Sequence, residues 1–241
     1  MSAIEISLLL GVVAGLANLF GASIVSARAW SRSFLTCFIA LGSGFMLATA
    51  VTEMIPESLH LAPSEAPVLI LVGYLIVHVF EHVAPGHFHF GEETHPEEFL
   101  DGRVAYTALG GLLVHTFLGG VAIASGFMVS KLLGTLIFGA MVLHNIPEGF
   151  TISSVMVTAG KSRRKGMESA GALGASRIAG ILTMSLAHEW VALGLALSAG
   201  ATLYVAASDL IPEVNKSPGI KIALTVGAGV AMVVLLKIFF A

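Results

Sequence analysis

The feature that most constrains this chain is a series of apolar runs, each about 17–25 residues long, separated by short polar stretches. A helical run of this length crosses the roughly 30 Å hydrocarbon core of a bilayer. Only 11% of the 241 residues are charged, whereas a soluble domain is normally about 25% charged. The sequence therefore predicts an all-α membrane protein. Its eight predicted transmembrane helices are Ile4–Val25, Ser33–Met54, Pro67–Val83, Val104–Val129, Leu132–Val157, Ala172–Ala187, Val191–Leu210 and Ile220–Phe240.

An alternative assignment joins predicted spans six and seven into one helix, which leaves seven spans. The placement of Lys and Arg favours eight, because then only Lys131 and Lys237 lie at the second face of the membrane. The positive-inside rule makes the other, basic face cytoplasmic, so both termini are predicted to be extracytoplasmic. The residues assigned to the basic face are Arg28, Arg32, Arg103, Lys161, Arg163, Arg164, Lys165, Arg177, Lys216 and Lys221.

We predict one polytopic domain over residues 1–241, which includes a long cytoplasmic loop at 84–102. The loop and the helix end before it are rich in histidine and carboxylates. A His-rich tract binds metal ions weakly, and a polar linker of this composition is also simply solvated; both interpretations stay open. The candidate accessory ligands are His82, His87, His89 and His95.

The fifth predicted span contains the motif HNIPEG at 144–149. His144 and Glu148 are four residues apart, so they share one helix face. Pro147 removes a backbone donor, and the carbonyl it frees is tolerated at membrane depth only inside protein or along a cavity. Asn145 adds an amide oxygen. Because imidazole nitrogen and carboxylate oxygen suit zinc and similar ions, the motif predicts a metal site; the alternative is a buried ion pair between helices.

His115 lies in the fourth predicted span and is a candidate third ligand. Taken alone, a histidine on an apolar face is more often a hydrogen-bonded core residue. A short loop around Lys131 makes spans four and five antiparallel neighbours, and His115 and His144 each lie roughly a dozen residues from it. At about 1.5 Å per residue, the two histidines are predicted to share one depth in the membrane.

The pattern acid, apolar, Ile, Pro, Glu occurs twice. Glu53 and Glu57 frame the copy at the end of span two, and Asp209 and Glu213 frame the copy at the end of span seven. In the predicted topology the first copy lies at the outer face and the second at the inner face, as an inverted repeat requires. A shared helix-stop pattern is the alternative. We expect the four carboxylates to line an ion pathway or gate.

Three function classes fit a metal site in the membrane, and a transporter fits best. A cation channel could use the same ligands, but a multidentate His/Glu site binds too tightly for fast passage. An intramembrane metallohydrolase would also use zinc with His and Glu. The sequence HEWVA at 188–192, however, lacks the second histidine of HExxH, so we expect no enzyme. The chain has no basic stripe for nucleic acid, and Cys37 alone cannot build a cysteine metal site.

These residues resemble the ZIP family of metal-ion transporters. The resemblance rests on HNIPEG at 144–149, EMIPES at 53–58, ATLYVAASDLIPEV at 201–214, the His-rich loop and the eight spans with both ends outside. It implies uptake of zinc, or of iron, manganese or cadmium, across the cell membrane toward the cytoplasm. The ion is then a transported substrate, and no catalytic cofactor is expected. The family also implies alternating access, in which spans one, four, five and six move against two, three, seven and eight.

Carried over residue by residue, the resemblance implies a site on spans four and five. The implied metal ligands are His115, His144, Asn145 and Glu148. Family members commonly have Asn after the span-four histidine and an acid four residues after it, where this chain has Thr116 and Gly119. We therefore expect one principal ion, held by His115, His144 and Glu148 with water. The expected partners are this ion and the lipid bilayer, and a homodimer is compatible with the sequence.

Overall fold

The computed structural model describes residues 2–27, 32–83, 102–217 and 219–240, which are helical apart from short connections. These residues form eight long helical segments, each corresponding to one predicted span. Segments two and seven each combine two α-helices through a π-helical turn. The helices are α1 (Ala3–Ala27), α2 (Arg32–Thr49), α3 (Ile55–Leu61), α4 (Ala66–Val83), α5 (Gly102–Val129), α6 (Lys131–Thr158), α7 (Arg163–Leu186), α8 (Val191–Tyr204), α9 (Ile211–Asn215) and α10 (Ile220–Phe240).

Five of these segments are long and apolar enough to cross a membrane by length and composition. They are Ala3–Ile24, Thr36–Leu61, Ala105–Val129, His188–Asn215 and Ile220–Phe239, and Ala66–Phe80 is a shorter apolar helix. The helices α6 and α7 are more polar, yet both pack against α1 and α5 in the same bundle. The chain is therefore a multi-pass membrane protein in which the most polar helices are sheltered by apolar ones.

Local sequence signals determine where α6 and α7 begin and where α6 ends. The hydroxyl oxygen of Ser130 accepts a hydrogen bond from the Leu133 N–H, and that of Ser162 accepts one from the Lys165 N–H. Both serines therefore act as N-caps. Between them, Gly160 has a φ of 73°, the left-handed conformation that favours glycine after a helix end. The α5–α6 and α6–α7 connections are consequently short, and α6 runs antiparallel to both of its neighbours α5 and α7.

The prediction for span six was wrong at its start. The helix α7 begins at Arg163, well before the predicted Ala172, because the Ser162 cap starts the helix within the basic cluster. Arg177 is consequently near the middle of α7 and is fully buried, not at the cytoplasmic face. The seven-span alternative is also wrong, since an exposed 3₁₀ turn at His188–Trp190 separates α7 from α8.

The helices divide into two groups by their packing. The site group consists of α1, α5, α6 and α7, in which α1 packs against α6 and α7, and α5 packs against α6 and α7. The flanking group consists of the remaining helices, in which α2 packs against α10 and α4 against α8. The two groups meet mainly where α5 contacts α8 and where α2 contacts α6.

The two copies of the acid–Ile–Pro–Glu pattern have the same local structure. A π-helical turn, Ala50–Met54 or Val205–Leu210, precedes a short α-helix that begins with Ile and Pro. Each turn also packs against the helix of the other copy, the first against α8 and the second against α2. The two copies therefore share a π-helical turn, which is a rare feature, as well as the sequence pattern. The predicted loop at 84–102 lies outside the described residues but for its last residue, Gly102.

Candidate metal site

Three of the predicted ligands lie together in the interior of the site group. One potential ligand atom from each of His115, His144 and Glu148 lies within 4.8 Å of those of the other two. All three side chains are buried, and the two imidazole rings meet edge to face with centroids 5.3 Å apart. The two histidines of α5 and α6 therefore lie side by side, as their similar distances from the Lys131 connection predict. No other such group of three His, Cys, Asp or Glu side chains occurs in the described part of the chain.

The donor set fits a small divalent ion. Zinc–nitrogen and zinc–oxygen bonds of about 2.0–2.2 Å separate neighbouring ligands of a tetrahedral ion by roughly 3.4 Å. The present spacing is at most 4.8 Å, so the side chains need to move together by only about 1 Å to bind one ion. Within the described residues, neither ring nitrogen of His115 makes a hydrogen bond. A buried polar ring without such a bond is well suited to bind an ion.

Glu148 is held by neutral donors on two other helices. The Asn18 amide on α1 donates to Oε2 of Glu148 over 2.6 Å and to the Asn145 carbonyl over 3.3 Å. The Thr116 hydroxyl on α5 lies 3.1 Å from Oε1 and is also within bonding distance of the Leu112 carbonyl, so its single proton serves one acceptor at a time. These contacts orient the carboxylate before any ion is bound.

Arg177 completes the surroundings of Glu148. One guanidinium nitrogen lies 3.7 Å from Oε2 of Glu148 and donates to the Asn145 amide oxygen over 2.7 Å. A second guanidinium nitrogen donates to the Asn18 amide oxygen over 2.9 Å. Both side chains of the ion pair are fully buried. A buried ion pair between helices, which the sequence offered as an alternative to a metal site, therefore exists between Arg177 and Glu148.

Asn145, the fourth ligand implied by the resemblance, is hydrogen-bonded to two other helices. Its amide oxygen accepts from Arg177, and its amide nitrogen donates to the Ala14 carbonyl of α1 over 2.8 Å. The side chain thus connects α6 with α1 and α7.

The four predicted pathway carboxylates lie apart from the central cluster. Glu53 forms an ion pair with Lys237 at 2.9 Å, and Glu213 forms one with Lys216 at 2.9 Å. Asp209 is buried within the second π-helical turn. Glu57 lines an open cavity of about 750 Å³ together with His188 and the first residues of α1.

The comparisons with known proteins agree with this architecture. The model of the ZIP zinc transporter family matches residues 100–237, which include α5 to α9 and nearly all of α10. The chain belongs to this family. Zinc transporter ZIP9-B of Xenopus laevis is 23% identical to it over 236 aligned residues that cover 77% of each chain, and zinc transporter ZIP9 of Xenopus tropicalis is 22% identical over the same coverage. Membership in the ZIP family makes divalent-metal transport its class of function.

Two residues of the candidate metal site were not predicted from the sequence. Asn18 is a buried polar residue in the middle of the mainly apolar α1, and its position inside a span was the available signal. Arg177 was assigned to the cytoplasmic face because the polar start of α7 hid the helix around it. The N-cap serine at 162 was the signal that could have extended span six and brought Arg177 into the membrane.

Proposed function

We propose that this ZIP protein carries divalent metal ions, zinc first among them, across the cell membrane toward the cytoplasm by alternating access. His115, His144 and Glu148 bind the ion midway between the two faces of the membrane. The observation that carries this proposal is the buried cluster of three ligand atoms within 4.8 Å of one another, on the helices of one group. Iron, manganese and cadmium suit the same donors.

The binding step assigns a role to each side chain. The imidazoles of His115 and His144 supply neutral nitrogen donors, and Glu148 supplies the negative charge that a divalent ion needs in a low-dielectric site. Thr116 and Asn18 orient the two carboxylate oxygens through hydrogen bonds. Water fills the remaining coordination positions. One principal ion is bound, because Thr116 and Gly119 supply no further carboxylate for a second ion.

The transport step moves the site group against the flanking group. The three ligands and the side chains that contact Glu148 belong to α1, α5, α6 and α7, so the group can carry its ion without breaking these contacts. The α5–α8 and α2–α6 contacts are then the sliding surfaces. This division supports the motion proposed for spans one, four, five and six against the other four.

The two π-turn segments provide the approach and the exit. Glu53 and Glu57 receive the ion outside, and Asp209 and Glu213 accompany its release inside. The open cavity lined by Glu57 and His188 supports an entrance at that end. The histidines at 82, 87, 89 and 95 serve as an accessory metal-binding tract.

The proposed protein is compatible with a homodimer. All three ligands of the central site come from one protomer.

Zinc uptake into proteoliposomes tests the proposal. Glu148→Gln keeps the shape of the side chain and removes its charge, so we expect saturable uptake to fall by at least about 100-fold, equivalent to about 2.7 kcal/mol, while the protein stays folded. Glu168→Gln is the matched control, because Glu168 is an exposed glutamate at the start of α7.

Uptake by Glu148→Gln at the rate of the wild type would refute the assignment of the site. Currents that rise in proportion to voltage without saturating in metal would instead identify a channel.

A further inference from the structure

The charges around the site balance before any ion arrives. Glu148 carries one negative charge, Arg177 carries one positive charge, and imidazoles that act as ligands are neutral. Among the described residues, no other carboxylate lies in the cluster. A divalent ion would therefore bring two uncompensated positive charges into a buried site, which is strongly unfavourable in a low dielectric.

Arg177 is held mainly by partners other than Glu148. Its shortest contacts, 2.7 and 2.9 Å, are with the neutral amides of Asn145 and Asn18, whereas its distance to Glu148 is 3.7 Å. The guanidinium therefore stays anchored when Glu148 turns toward an ion. Gly119 on α5 lies beside this arginine, because a Cβ there would lie 3.1 Å from the Met141 sulfur and 3.9 Å from Nε of Arg177.

We propose that Arg177 is a tethered cation that competes with the transported metal for Glu148. This inference rests on the proposed function. Without an ion, Arg177 neutralises the buried carboxylate and keeps the site group folded. When an ion enters, Glu148 leaves the guanidinium for the metal, and the nearby positive charge weakens ion binding. Arg177 thus limits the site to one ion and favours its release.

Zinc affinity of the purified protein in detergent tests the inference. Arg177→Gln removes the charge but keeps a group that can bond to Asn18 and Asn145. We expect it to bind zinc at least about tenfold more tightly than the wild type, in line with couplings measured between close charges. Arg177→Lys keeps the charge, so its affinity should stay below that of the Gln variant. Arg164→Gln removes an exposed arginine of the same helix and is the control.

Thermal unfolding in a chelator gives a second, independent readout. Arg177→Gln leaves Glu148 buried without its cation, so it should unfold at a lower temperature than the wild type and gain more stability from added zinc. The double variant Arg177→Gln/Glu148→Gln removes both charges and should recover stability relative to Arg177→Gln alone. If Arg177→Gln alone fails to fold, a folded double variant shows that Arg177 neutralises Glu148, and a double variant that also fails to fold overturns the inference.

The inference is overturned if Arg177→Gln folds and binds zinc no more tightly than the wild type, or if the double variant unfolds at the same temperature as Arg177→Gln. The proposed function fails by a different result, namely wild-type zinc uptake that survives Glu148→Gln, which does not involve Arg177.

Discussion

The contacts inside each helix group differ from the contacts between the groups, and glycine shows the difference. Inside the site group, a methyl group on Gly21 of α1 would overlap the Ile146 carbonyl of α6, and one on Gly120 of α5 would overlap the Arg177 carbonyl of α7. Inside the flanking group, Gly44 faces the Val226 carbonyl in the same way. Helix backbones within a group are therefore in direct contact, as small residues allow in membranes.

Between the groups, a Cβ added to a glycine would contact a side chain or would lie at an ordinary contact distance from the neighbouring helix. A Cβ on Gly42 of α2 would lie 3.5 Å from the Leu143 carbonyl of α6, and one on Gly111 of α5 would lie 3.9 Å from Cβ of Phe80 on α4. A Cβ on Gly139 would meet the ring of Phe45 at 3.2 Å. Side chains can rearrange during sliding, whereas interlocked backbones cannot. These contacts favour motion of each group as a unit, with rearrangement at the boundary between the groups.

Joining the two groups covalently should have the largest effect. In a Cys37→Ser background, Gly42→Cys with Leu143→Cys introduces two Cβ atoms about 3.6 Å apart, within the range for a disulfide. Since the bond would connect α2 to α6, we expect zinc uptake to be abolished by oxidation and restored by a reductant. The Gly42→Cys single variant, treated alike, is the control. Unchanged uptake by the fully oxidised protein would show that the groups do not move apart at this point.

A matched pair of glycine substitutions should separate the two kinds of contact by stability. Gly21→Ala and Gly42→Ala both face carbonyls of α6, at Ile146 and Leu143. We expect Gly21→Ala to lower the free energy of unfolding by about 1–3 kcal/mol, because the added methyl overlaps backbone that cannot yield. Gly42→Ala has room and improves helix propensity, so its stability should match or exceed that of the wild type. Thermal unfolding in detergent provides the measurement, and equal melting temperatures would contradict the comparison.

The sequence predicted the parts of this fold that depend on apolar length. Spans one, four and eight were predicted within a few residues, since an apolar run of sufficient length is itself the requirement for crossing a bilayer. The start of α7 was missed because this helix is sheltered by other helices and therefore carries polar residues that apolar length does not detect. Its true start depends on the Ser162 cap, a local signal of a different kind.

The candidate site was predictable where one helix or one short loop fixes the geometry. His144 and Glu148 share a helix face, and His115 follows from an antiparallel hairpin, so spacing alone brought them together. Asn18 and Arg177 join the site through packing between α1, α6 and α7, which are distant in sequence. The rotation of each helix about its axis decides which of its polar residues meet those of another helix. A single sequence contains no direct measure of this rotation.

Removing the ion pair between Glu53 and Lys237 should have the smallest effect on the free energy of unfolding. This pair connects the first π-helical turn to α10 at 2.9 Å, inside the flanking group, and the lysine side chain is 49% exposed. Exposed ion pairs contribute at most about 1 kcal/mol, and Lys237→Gln should lower the free energy of unfolding by no more than this. The backbone contacts of Gly44 and Gly229 hold α2 and α10 together without it. A loss as large as that of Gly21→Ala would mean that charge, and not backbone packing, holds the flanking group together.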